Sequence, residues 1–184
     1  MSSLLRIVVV ALLVLSPAMA ARAGDYVDGS ALDELFGELK YAQTAAEAEE
    51  LSQEIWTFWL HPDVPELDRR IGEASELIRV GDYPHALSAL SSIIKDFPDY
   101  SEAWNQRATL YYLVHDYADS LADIAKTLTL EPRHFGALTG RAMIYMQQGR
   151  REDAMRDIAA ALKIHPFLDE RQLFPDMAPP VTYI

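Results

Sequence analysis

The chain reads as an all-α superhelical solenoid of three helix-turn-helix repeats preceded by an N-terminal helical cap. Three observations predict this. Pro98, Pro132 and Pro166 stand 34 residues apart, and the residues between them recur at the same step. Small residues recur at Ala74, Ala108 and Ala142, and again at Ala86, Ser120 and Ala154. Large apolar residues recur at Leu77, Tyr111 and Tyr145, and at Leu90, Ile124 and Ile158. A fixed period of this length marks stacked helical units, none of which can bury its apolar face alone.

Each repeat follows from local rules. With starts at Leu67, Ser101 and Phe135, the repeats span 67–100, 101–134 and 135–168. The small positions let two antiparallel helices approach closely, and Tyr111, Ile124 and Leu128 fall at helical spacing to form the stripe between them. Gly81-Asp82-Tyr83, His115-Asp116-Tyr117 and Gly149-Arg150-Arg151 are the turns after the first helix of each pair. Glycine accepts the left-handed backbone that closes a helix. The periodic proline stops the second helix by removing a donor and clashing with the preceding turn. Arg107 and Arg141 share one repeat position, and Asp123 and Asp157 share another. Facing pairs would neutralise charge inside the stack; the alternative is that an arginine serves as a ligand-binding cation.

The second repeat reads Trp104-x2-Arg107-Ala108-x2-Tyr111, then Ser120-x3-Ile124, then Pro132. This resembles the tetratricopeptide repeat (TPR) family, whose pattern is W-x2-L-G-x2-Y, A-x3-F, P. Arginine for leucine is the one departure that changes character. The resemblance implies a right-handed superhelix whose concave face is lined by the first helix of each repeat. It also implies which residues meet a partner there. They are Asp68, Ile71, Ser75, Ile78 and Arg79 in the first repeat, and Glu102, Asn105, Thr109, Tyr112 and Leu113 in the second. The third contributes Gly136, Thr139, Met143, Met146 and Gln147. Carboxylate-clamp members of the family use several groove lysines and arginines, whereas here only Arg79 qualifies. Methionine adapts its shape to a partner, although Met143 and Met146 packing on a neighbouring helix is the plainer reading.

Residues 24–65 form the expected acidic helical cap, with ten acids against one base, Lys40. Ser30-Ala31-Leu32-Asp33 opens a helix running to about Tyr41, and Thr44-Ala45-Ala46-Glu47 is a capping box opening a second. Leu51, Ile55 and Trp59 share one face of that second helix. His61-Pro62-Asp63-Val64-Pro65 ends it. We expect this cap to pack on the first repeat, with Trp56, Phe58 and Trp59 as core; an aromatic docking patch is the alternative.

At the start, Arg6, the apolar run of nine from Ile7 to Leu15, and Ser16-Pro17 read as a secretory signal peptide over 1–20. Ala18-Met19-Ala20 and Ala21-Arg22-Ala23 are both cleavage motifs, so cleavage after 23 is the alternative. A spanning helix needs about 20 apolar residues, so the processed chain is not expected to span a membrane. A periplasmic or secreted location follows. The chain has no cysteine, hence no disulfide and no lipid-modified cysteine. After Pro166, at most two helical turns precede the short tail of 169–184, and Met177–Ile184 is apolar and extended. It either folds over the open end of the third repeat or leaves that end for another molecule.

The formal net charge of −12 disfavours nucleic acid and anionic lipid as partners. No nucleophile elbow, phosphate loop or dinucleotide fingerprint occurs. His61, His85, His115, His134 and His165 fall at turns or helix ends, without the spacing of a metal site on one helix. No enzymatic activity, cofactor or metal is expected. The leading expectation is an adaptor or scaffold that binds an envelope protein or peptide in the groove. Resemblance to small exported TPR proteins of Gram-negative bacteria implies the same. Two alternatives remain. In one, chains form a homo-oligomer, the acidic cap of one meeting the third repeat of the next, where five bases face three acids over 135–166. In the other, the groove takes a small ligand or cell-wall fragment.

Overall fold

A computed structural model describes Tyr26 and residues 28–174. The leader at 1–23 and the tail at 177–184 lie outside the described residues. All regular structure among them is helical. The elements are α1 (Gly29–Lys40), α2 (Ala45–Leu60), α3 (Pro65–Arg79), α4 (Tyr83–Asp96), α5 (Ser101–Leu113), α6 (Tyr117–Leu130), α7 (Phe135–Gln147), α8 (Arg151–Leu162) and a 3-10 turn (Asp169–Leu173). No helix among the described residues is long and apolar enough to cross a membrane.

The pairs α3/α4, α5/α6 and α7/α8 are the three repeats, closed by the same turn. The N–H of Asp82, Asp116 and Arg150 each reaches back to the carbonyl of Leu77, Tyr111 and Tyr145 at 2.8–2.9 Å. The preceding residue donates to Ile78, Tyr112 or Met146, so two orphan carbonyls are satisfied at each helix end. That preceding residue must be left-handed: Gly81 has φ 80° and Gly149 φ 72°, while His115 adopts φ 63° without glycine's freedom. The small positions act as expected. Ala74, Ala86, Ser120, Ala142 and Ala154 are fully buried, and the Ser120 hydroxyl donates to the Ala108 carbonyl at 2.8 Å.

The arginine–aspartate pairs form. Arg107 grips Asp123 with two hydrogen bonds at 2.7 and 2.9 Å, and Arg141 grips Asp157 with two at 2.7 Å. Fork-to-carboxylate pairing of this kind is strong and directional. Hydrogen bonding to the aspartate raises the pKa of each arginine. Both cations are therefore engaged within their own repeat.

The N-terminal hairpin departs from expectation. Tyr26 and Val64 do pack on the first repeat, against a core that includes Leu67, Ile71 and Leu90. The helices α1 and α2 do not. Their apolar faces, carrying Phe36, Leu39, Ile55 and Trp59, bury against Phe135, Leu138 and Ala161 of the third repeat. The α2 helix runs back along the solenoid, past the loops that join one repeat to the next. Arg133 in the loop between α6 and α7 pairs with Asp33 at 2.6 Å and stacks on Phe36. The physical reason lies in the second half of α2. Two tryptophans on one face need a large apolar bed, and the third repeat supplies Phe135. Trp56 and Phe58 are half-buried in the same cluster, so the aromatic trio is core rather than a docking patch.

The capping box also differs in detail. Thr44 accepts from the Glu47 N–H, whereas the Glu47 carboxylate accepts from Gln43, one residue earlier than the usual reciprocal bond. At the far end no full helix closes the solenoid. Phe174 instead inserts its ring against Ala142, Ala154 and Ile158. The acidic hairpin and this phenylalanine therefore engage the third repeat within one chain, using surfaces that head-to-tail assembly would need.

Candidate functional site

Two hollows meet on the concave side. The first, of about 270 Å³, lies between α5 and α7, and its lining includes Asn105, Thr109, Tyr112, Leu113, Gly136, Thr139 and Met143. These are residues expected in the groove, brought together because equivalent faces of successive first helices stack side by side. Ala108, Ser120 and Ile124 form the floor.

No charged side chain lines this cavity, and its polar groups are mostly acceptors. The Asn105 amide donates to Glu102 at 3.1 Å, which leaves its carbonyl oxygen for the cavity. The Thr109 and Thr139 hydroxyls donate back to the carbonyls of Asn105 and Gly136, so each oxygen keeps acceptor capacity. Around the mouth, Leu113 is 44% exposed, and Met143 and Met146 are each 37% exposed. The methionines thus do not bury themselves on a neighbouring helix. Gln147 is exposed beside Met146 at the end of α7.

Four expected groove residues lie elsewhere or are closed off. Ile71 is buried in the core of the first repeat. Asp68 bonds His61 at 3.0 Å. Arg79 is exposed but held by Glu76 at 2.6 Å and does not line the cavity. Glu102 is only 2% exposed, and its carboxylate accepts from Asn105 and from His134 Nε2 at 3.1 Å. A partner cannot reach it while the hairpin is docked.

His134 is the residue that sequence reasoning missed. It is fully buried, and its Nδ1 accepts from the Ala137 N–H at 3.1 Å as the N-cap of α7. That bond assigns the proton to Nε2, which donates to Glu102. Its ring stacks on Trp59, whose main-chain carbonyl accepts from the Tyr100 hydroxyl. Burial drives the Tyr100 phenol well above its ordinary range. Nothing in the spacing of the histidines distinguishes this one, because its partners are 32 and 75 residues away in the chain.

The second hollow, of about 520 Å³, opens between α2 and the 3-10 turn. It shares Gly136 and Thr139 with the first. Trp56 stands at this junction because Gly136 has no side chain: a Cβ there would lie 2.8 Å from the indole. The walls include Glu49, Asp169 and Glu170 beside Trp56, Phe167 and His165. Burial lowers the pKa of His165, which keeps its ring neutral near neutral pH.

Comparison with known proteins agrees with the repeat geometry. The model of a family described as tetratricopeptide repeat matches residues 71–113 and 105–169. A TPR repeat-containing protein of Rhizobium etli is 35% identical over 83 residues, which are 45% of this chain and 41% of that protein. The chain thus spans about two-fifths of that relative's length. Among solved structures, the first TPR of Spaghetti (RPAP3), bound to the HSP90 peptide SRMEEVD, superposes with a TM-score of 0.57 at 17% identity. The match covers 62% of this chain and 91% of that one. MamA superposes with a TM-score of 0.51 at 16% identity, covering 78% and 81% of the two chains. At such identities the likeness is one of fold. With the family's repeat model covering more than half its length, the chain belongs to the tetratricopeptide repeat family.

Proposed function

We propose that this protein is a non-catalytic adaptor that holds a segment of a partner protein in its concave groove. The observation that carries the reading is the cavity between α5 and α7, with uncharged walls, acceptor oxygens inside and exposed Leu113, Met143 and Met146 at its mouth. Such a site takes an apolar side chain as anchor and reads the N–H groups beside it. The Spaghetti TPR is bound to an acidic peptide. Here no lysine or arginine lines the cavity, so an acidic anchor would be left without a counter-ion. The leader-like residues 1–23 support action in the bacterial cell envelope, on an envelope protein or peptide.

Selection from a displayed peptide library tests this. Peptides retained by the chain should carry an apolar anchor and lose binding to Tyr112→Asp, whose side chain lines the cavity without supporting the core. Failure to retain any peptide, or retention indifferent to Tyr112→Asp and Met143→Glu, would remove the groove reading.

A further inference from the structure

The second hollow has the chemistry of a cation site. Glu49 on α2, together with Asp169 and Glu170 on the 3-10 turn, brings three carboxylates to one concavity whose lining holds no lysine or arginine. Glu49 accepts from the Gln53 amide at 2.7 Å and Asp169 loosely from Gln172 at 3.5 Å. Among the described residues neither is paired with a cation, and Glu170 has no partner. Three unneutralised carboxylates around an aromatic wall, here Trp56, favour an ammonium or guanidinium group.

An independent observation comes from His165. Its side chain lines the hollow and is only 5% exposed. The Nδ1 atom accepts from the Phe167 N–H at 3.3 Å, which assigns the proton to Nε2. That donor has no acceptor among the described residues. A buried donor of this kind calls for an acceptor, and a main-chain carbonyl of a bound segment supplies one. A metal ion fits less well, because no three His, Asp or Glu among the described residues are arranged to hold one.

We propose that the hollow between α2 and the end of the third repeat binds a lysine or arginine side chain of the partner segment. Its main chain would accept from His165, and its apolar anchor would enter the adjoining cavity. This rests on the adaptor reading and narrows it, because the two hollows meet at Gly136 and Thr139. The partner is then a basic segment with an apolar residue nearby, which the chain's net charge of −12 would also steer toward it.

The probe is N-acetyl-argininamide, with N-acetyl-citrullinamide as its uncharged isostere, titrated into the chain while the Trp56 indole N–H resonance is followed. The arginine compound should shift that resonance saturably in the millimolar range, and the citrulline compound should not. Glu49→Gln with Glu170→Gln, at positions whose side chains support no core contact, should weaken binding by about tenfold. Equal responses to the two compounds, no saturable response, or a response unchanged in the double variant would overturn the proposal. The titration is read at Trp56 and needs no groove peptide. The adaptor reading is judged separately through Tyr112, so either can fail without the other.

Discussion

The indole of Trp59 lies flat on the imidazole of His134, with ring centroids 4.1 Å apart and planes inclined by 6°. This stack joins the N-terminal hairpin to the solenoid. Beneath it sits the buried carboxylate of Glu102, and beside it Tyr100 holds the last turn of α2 by its free carbonyl. Hairpin, loop and groove are therefore one packed unit, and changes in the seat of α2 should be felt throughout.

Gly136 tests the seat directly. A methyl group at this position would meet two Trp56 ring atoms at 2.8 and 2.9 Å, so Gly136→Ala must displace the indole. Urea denaturation should show a loss of about 1–3 kcal/mol, the usual range for overpacking. Gly140, one turn along the same helix, is the control: its nearest neighbour would be Ile124 at 3.9 Å. Gly140→Ala should stabilise the chain by about 0.5–1 kcal/mol through helix propensity. Similar effects at the two sites would mean that Trp56 is not seated on Gly136.

Inside the repeats, the paired arginines set up a graded comparison. Arg107–Asp123 is the more buried, with side chains 16% and 6% exposed, against 26% and 11% for Arg141–Asp157. Asp123→Ala strands a largely buried guanidinium and should cost about 3–5 kcal/mol. Asp157→Ala should cost less. A double-mutant cycle in urea measures each coupling, and a larger coupling at Asp157 would contradict the burial argument.

The stability of the chain should depend on His165 below neutral pH. Burial lowers its pKa from the ordinary 6.5, outweighing Glu49 and Asp169, which pull the other way. The unfolded chain then takes up the proton first. Its contribution is full above pH 6.5 and is lost as pH falls from there toward the folded-state pKa. Denaturation midpoints measured between pH 7.5 and 5.5 should fall, and the fall should be shallower in His165→Gln. An equal slope in both proteins would assign the effect to other groups.

Removing residues 24–65 should unfold the protein rather than open a site. The deletion would expose Phe135, Leu138 and Ala161 to water and leave the Glu102–His134 pair uncovered. The 66–184 fragment should therefore lack a cooperative thermal transition by circular dichroism. A sharp transition with retained helicity would show that three repeats stand alone.

The sequence by itself determined the repeats. Proline, glycine and small residues at a 34-residue step specify helix ends and close approaches, and these depend on neighbours within one repeat or the next. For the same reason Asn105, Thr109, Tyr112 and Met143 could be placed in one groove before any coordinates, and Arg107 could be matched to Asp123. Tertiary structure alone decided where α2 lies, that Glu102 is sealed under His134, and that Glu49 faces His165 across a hollow. Those contacts join residues from 32 to 116 positions apart, outside the periodic register. Non-periodic contacts leave no repeating pattern in the chain. They arise only when the apolar face of an unpaired hairpin finds the largest bed the folded solenoid offers.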